Sequence, residues 1–133
     1  MRAIDALDRA AHANPDTHFV VQGDVAVSYA QAVAITHRIA ARIQALGVAP
    51  GTRVAFLSPN DWRGLLFMYG VWRAGAVLVP VNVRNSAAMN AAILKRHRPT
   101  ALVHHSEVSQ LAAQVRAELP GLQPWCCLDR EED

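Results

Sequence analysis

The residues with the most chemical potential in this 133-residue chain are His104-His105 and Cys126-Cys127. Imidazoles and thiols ligate metals, carry protons and act as nucleophiles. A metal site needs three or four converging ligands. Glu107 lies near the two histidines, but no third ligand stands at helical or hairpin spacing. The histidines therefore read as surface or strand-end residues, and neighbours on a strand point to opposite faces. The cysteines lack the two-residue spacer of a redox or zinc motif. They read as buried or half-buried thiols, with a disulfide between the two neighbours as the alternative. His37 and His97 sit in basic helical contexts and read as exposed. Ser58 follows an apolar run, where a nucleophile can sit in an α/β sheet. Pro59 comes next, however, and no G-x-S-x-G surrounds it, so Ser58-Pro59-Asn60 reads as a turn and helix cap. A phosphate cradle needs clustered glycines. The seven glycines stand apart, and the single lysine, Lys95, has none beside it. No residue is assigned a catalytic, cofactor-binding or metal-binding role.

The elements that would position these groups alternate along the chain. Ile4, Leu7 and Ala11 share a helical face that Asn14-Pro15 ends. Residues 19–21 and 25–27 are apolar runs on either side of Gly23-Asp24, the pattern of a hairpin. Ser28 and Gln31 form a capping box. The helix that follows carries the stripe Ala32, Ile35, Ile39, Ile43 and Leu46, and Gly47 serves as its C′ residue. Pro50-Gly51 is a turn before the buried strand 54–57. Asn60 or Asp61 caps a helix over 62–72 that is apolar on nearly every side, hence buried on more than one face. Strand 76–79 follows Gly75. Ser86 opens a helix carrying Met89, Ala92 and Ile93, and Pro99 bounds it. Strand 101–103 comes next, then a helix from Ser106 with Val108, Leu111, Val115 and Leu119 on one face. A strand over 125–128 closes the series. Uniformly apolar strands between amphipathic helices predict an α/β fold, a mostly parallel sheet with helices on both faces.

Composition bounds the rest. Hydrophobic residues at 52% and charged residues at 18% exclude a disordered chain. A net charge of +2 is too balanced for a nucleic-acid binder. No apolar run approaches the ~20 residues of a membrane span. Residues 1–12 carry Asp5 and Asp8 and no apolar h-region, so a cytoplasmic location is the expectation. Charge is uneven. Residues 61–100 hold six bases (Arg63, Arg73, Arg84, Lys95, Arg96, Arg98) against Asp61, and residues 101–133 hold six acids against Arg116 and Arg130. The basic stretch reads as solvated helix faces and ends, or as a surface for an anionic ligand. Residues 129–133 read as a frayed acidic tail after a domain of residues 1–128.

Against these elements, two motifs carry a resemblance. Val27-Ser28-Tyr29, the long helix, Leu46-Gly47-Val48-Ala49-Pro50-Gly51-Thr52-Arg53-Val54-Ala55 and Ser58-Pro59-Asn60 resemble the N-terminal region of the adenylate-forming (AMP-binding) enzymes, most closely the acyl-CoA synthetases. Trp72-Arg73-Ala74-Gly75-Ala76-Val77-Leu78-Val79-Pro80-Val81-Asn82 resembles the family's K-A-G-A-x-x-x-P-L segment, with Arg73 where Lys is common. The resemblance covers roughly residues 15–128, and Asn82 leans it toward acyl- and aryl-CoA ligases. It implies the N-terminal subdomain of that fold, with Tyr29 and the 75–80 strand as packing residues.

The resemblance also implies a parent activity. A carboxylic acid becomes an acyl-adenylate at the expense of ATP, and coenzyme A then displaces AMP, with Mg²⁺ stabilising charge. The family's phosphate loop and catalytic lysine lie beyond the matched region, so no catalytic residue carries over. The chain is therefore expected to be inactive alone and to bind no cofactor. Its expected partner is the remainder of the synthetase domain or a second copy of itself. A stand-alone α/β interaction module without catalysis is the alternative.

Overall fold

The computed structural model describes residues 1–130. In chain order the elements are α1 (Ala3–Ala13), β1 (His18–Gln22), β2 (Val25–Ser28), α2 (Tyr29–Ala45), β3 (Arg53–Leu57), α3 (Trp62–Arg73), β4 (Val77–Pro80), α4 (Ala87–His97), β5 (Ala101–His104), a 3₁₀ turn (Ser106–Val108), α5 (Ser109–Glu118) and β6 (Trp125–Cys127). Strands β1 and β2 form the expected antiparallel hairpin, turned by Gly23 at φ +56°. The other four make one parallel sheet in the order β4-β3-β5-β6.

Alternation along the strands divides the interior. Val54, Phe56, Ala101 and Val103 face Ala40, Ile43, Phe67 and Val71 of α2 and α3. Ala55, Leu57 and Leu102 face Leu94, Ala112 and Val115 of α4 and α5. Both faces of β3 and β5 are thus apolar, as a covered parallel sheet requires. A third cluster lies outside the α2/α3 layer, where Ile4, Leu7 and Val27 pack on Ala32 and Leu66. Tyr29 joins it through an edge-to-face contact with Phe19, with ring centroids 5.4 Å apart.

Local chemistry sets the element ends. The Ser28 hydroxyl accepts the Gln31 N–H at 3.1 Å, and the Gln31 carboxamide accepts the Ser28 N–H at 2.8 Å. Both α2 and α3 close in the same way. Gly47 (φ +92°) donates to Gln44 while Val48 donates to Ile43, and Gly75 (φ +74°) donates to Trp72 while Ala76 donates to Val71. These are Schellman caps, in which a glycine beyond the helix adopts the left-handed region. Helix α3 exposes only Arg63. Its Gly70 lets α2 approach, because a Cβ there would overlap Ile39.

Three side-chain expectations and one helix start are corrected. The buried stripe of α2 is Ala32, Thr36, Ala40 and Ile43, and Leu46 is exposed. Thr36 is buried because its hydroxyl donates to the Val33 carbonyl and accepts from Arg73 Nε at 3.0 Å. On α4, Met89 and Ala92 are exposed, Ile93 is half-buried, and Asn90, Ala91 and Leu94 are buried. Asn90 is satisfied by the Asn82 carbonyl (2.9 Å) and the Asn85 amide (3.2 Å). In the last helix the expected face does turn inward, with Val108, Leu111 and Leu119 packed around buried Val115 and Ala112, but Ser106 opens a 3₁₀ turn that precedes α5. Arg73 is not a solvated base. It forms a two-pronged pair with Asp8, at 3.0 and 2.5 Å, that fastens α1 to α3.

Candidate functional site

Strand order locates the crevice. From β3 the chain crosses to β4 on one side, and after α4 it returns to β5 on the other. Ligands of open α/β sheets bind where successive crossovers diverge, outside the carboxyl ends of the strands. Here that place lies beyond Leu57 of β3 and His104 of β5, whose ends are joined by a bond from the His105 N–H to the Leu57 carbonyl (3.0 Å).

Asp61, Asp129 and His105 meet there, with Arg63 beside Asp61. Asp61 is the N-cap of α3, and its Oδ1 accepts the Arg63 N–H at 2.9 Å. The Arg63 guanidinium lies 3.8 Å from Asp61 Oδ2 and stacks over Trp62. The hairpin supports this corner, since Gln22 accepts the Trp62 N–H at 2.7 Å. Asp129 follows β6. Its carboxylate accepts the Ser106 N–H (2.8 Å), the Ser106 hydroxyl (2.5 Å) and the Cys127 thiol (3.4 Å). Burial works against its charge, but the Ser106 bonds prevail and hold its carboxyl well below the usual carboxylate range. Between the two carboxylates stands His105, with only 5% of its side chain exposed. Its Nε2 lies 3.7 Å from Asp61 Oδ2 and 3.6 Å from Asp129 Oδ2 and has no hydrogen-bond partner among the described residues.

The tautomer of His105 follows from its other nitrogen. Nδ1 accepts the Glu107 N–H at 3.1 Å, so the proton of the neutral ring is on Nε2. His104 is the opposite case, with Nδ1 3.1 Å from the His105 carbonyl and therefore donating. A protonated Nε2 has no lone pair for a metal, and no group of three or more His, Cys, Asp or Glu among the described residues is arranged to hold one.

The structure thus revises two sequence readings. His105 stands at a strand end but is buried, and Asp129 is anchored to Ser106 rather than part of a frayed tail. Residues 131–133 lie outside the described residues. Nothing local marks the cluster, because its members come from three elements that meet only in the folded sheet. Asp61 shows in the sequence only as a helix cap.

The other candidates are placed as follows. The Ser58 hydroxyl donates to the Pro59 carbonyl at 2.7 Å, so it serves its own turn. Cys126 packs on the α2/α3 side. Burial chiefly pushes the Cys127 thiol up, which makes it a poor nucleophile. Lys95 is exposed in the last turn of α4. Beside the crevice opens a groove of about 680 Å³, lined by Gln22, Ser58, Asn60 and Asp61 and by apolar Phe56 and Met68. The glycines do not form a phosphate cradle. A Cβ on Gly64 would press on Phe56 and Ser58, one on Gly70 on Ile39, and one on Gly75 would touch Pro50. Gly23, Gly47, Gly51 and Gly121 have open space beside them but stand apart from one another in the chain, so they offer no clustered amides.

A family model described as AMP-binding enzyme matches residues 7–131. The chain is 38% identical over 98 residues to a 3-[(3aS,4S,7aS)-7a-methyl-1,5-dioxo-octahydro-1H-inden-4-yl]propanoyl:CoA ligase of Rhodococcus jostii, covering 74% of this chain and 19% of that protein. It is 35% identical over 95 residues to the long-chain-fatty-acid–CoA ligase FadD13 of Mycobacterium tuberculosis, covering 71% and 19%. Among solved structures, the N-terminal domain of FACL13 from M. tuberculosis superposes with a TM-score of 0.89 at 30% identity, over 97% of this chain and 34% of that one. The chain therefore spans about a fifth of the length of these curated relatives.

Proposed function

The chain belongs to the AMP-binding enzyme family, and from that premise we propose that it is the N-terminal portion of an ATP-dependent acyl-CoA ligase. The parent would convert a carboxylic acid to its acyl-adenylate and pass the acyl group to coenzyme A. One observation supports this reading above the others. The likeness runs through almost the whole chain, yet it falls within the N-terminal domain of a solved relative and about a fifth of each ligase's length.

The residues present do not fit a nucleotide. Triphosphate binding needs backbone N–H groups clustered on the anion, usually with a metal bridging the phosphates. Gly64, Gly70 and Gly75 are filled by neighbouring side chains, the other glycines are isolated from one another in the chain, and Lys95 projects from the end of α4. No step of the reaction is assigned to these 133 residues. Their contribution to the parent is the scaffold, namely the sheet, its two helical layers and the hairpin brace on α3.

Titration calorimetry with Mg-ATP at physiological salt tests the reading. Weak binding that fades with added salt and does not distinguish adenine from guanine is the expected result. Micromolar, adenine-selective binding by this chain would overturn it. Joining residues 1–130 to the remaining four-fifths of a relative such as the R. jostii ligase should restore carboxylate-dependent release of pyrophosphate.

A further inference from the structure

We propose that His105 is a proton-operated latch, which caps the turn at Ser106–Val108 when neutral and, when charged, releases that turn and draws Asp61 and Asp129 onto its ring. The inference stands on geometry and does not depend on the ligase reading. In the neutral ring the Nδ1 lone pair holds the Glu107 N–H and, among the described residues, the Nε2 proton has no acceptor within bonding distance. A second proton has only one place to go, which is Nδ1. There it would face the Glu107 N–H, donor against donor, and the cap is lost. The ring then carries a positive charge inside the fold, with a carboxylate oxygen at 3.7 Å on one side and at 3.6 Å on the other. Opposite charges at that range, out of water, attract strongly.

The charged and titratable neighbours among the described residues bear on the outcome, including Arg130, which follows Asp129 and lines the same cavity as Arg63. From α3, Asp61 attracts the imidazolium, while Arg63 competes for that carboxylate from 3.8 Å. From the segment after β6, Asp129 attracts it but is also held by Ser106 and by the Cys127 thiol. On the adjoining turn, Glu107 supplies the amide that is released, and its own carboxylate is an added negative charge nearby in sequence. His104 donates to the His105 carbonyl through Nδ1 and faces the other way. Nε2 carries a single N–H, so closing one gap by less than about 1 Å turns that near-contact into a charge-assisted hydrogen bond, while the second carboxylate is held by charge alone. The charged state would thereby tie the N-terminus of α3 to the end of β6 and loosen the turn between β5 and α5.

Nuclear magnetic resonance of the ¹⁵N-labelled chain from about pH 8 to about pH 5, the window in which imidazoles take up protons, reads both halves. The expected result is an Nε2–H tautomer for His105 at the alkaline end. On acidification the Glu107 amide should lose exchange protection, corrected for intrinsic pH dependence, by about tenfold or more with the midpoint of the His105 ring. His105→Gln keeps an acceptor for the Glu107 amide but cannot charge, so its Glu107 protection should not respond to pH. Asp129→Asn keeps an acceptor for the Ser106 N–H, reverses the bond with the Ser106 hydroxyl and removes one attracting charge, so the coupled transition should move to lower pH. An Nδ1–H tautomer at the alkaline end, or a Glu107 amide whose protection changes independently of His105, would overturn the proposal. Should His105→Gln fail to fold, the wild-type titration and Asp129→Asn decide between these outcomes.

Discussion

Arg73 shows how one side chain can do what its nearest chemical substitute cannot. Its guanidinium meets both oxygens of Asp8 while Nε reaches the Thr36 hydroxyl, a three-point geometry that an ammonium cannot copy. Arg73→Lys should therefore cost roughly 1–2 kcal/mol, and Arg73→Ala about 2–3 kcal/mol because Thr36 then lies buried with one bond fewer. Urea unfolding measures both. The Arg73 hydrogen bond, against some burial, holds the Asp8 carboxyl below its usual range. Asp129 is depressed as well. A carboxyl depressed in the fold binds its proton more readily once unfolded, so its stabilisation is complete above the unfolded value near ~3.9. It is lost as pH falls through the folded values. Stability should thus drop below about pH 4, and Asp8→Asn should flatten that drop when unfolding is followed by circular dichroism. The Arg73 pair and the His105 cluster share a reason for being hidden from the sequence. Each joins residues far apart in the chain, so no spacing announces it, and Arg73 looked like one more surface base.

At the scale of elements, the features written in the sequence were those whose chemistry closes within a few residues. Ser28 with Gln31, Asp61, Ser86, Gly47 and Gly75 all cap as their residue types require. Ser28→Ala should accordingly cost about 1 kcal/mol. The faces of helices were less legible. Hydrophobicity alone turned α2 toward Ile35 and Leu46, whereas a satisfied threonine took the central place. Likewise Asn90, bonded to Asn82 and Asn85, displaced Met89 from the interior of α4. A polar residue counts as buriable only when its partners are known, and those partners come from the fold. The contact of α2 with α3 offers a sharp test. Gly70→Ala should destabilise by roughly 1–3 kcal/mol through overpacking against Ile39. Adding Ile39→Ala should recover part of that loss, and the double-mutant cycle gives the coupling.

On the whole molecule, apolar side chains remain at the surface in separate places. Val21 on the hairpin is 59% exposed, Val77 on edge strand β4 46%, and Met89 on α4 55%. An open edge with an apolar residue invites pairing with another chain. The isolated chain should self-associate at high concentration, and Val77→Lys should reduce the apparent mass seen by light scattering. The strand order β4-β3-β5-β6 has another consequence, for the order in which the molecule can assemble. As the chain is synthesised, β3 emerges first among the four. Next, β4 joins one of its edges and β5 the other, after which β6 joins the outer edge of β5. At no point must a strand be threaded between two already joined. Growth can follow translation step by step from the centre of the sheet outward, and each arriving helix covers the surface that its preceding strand has just created.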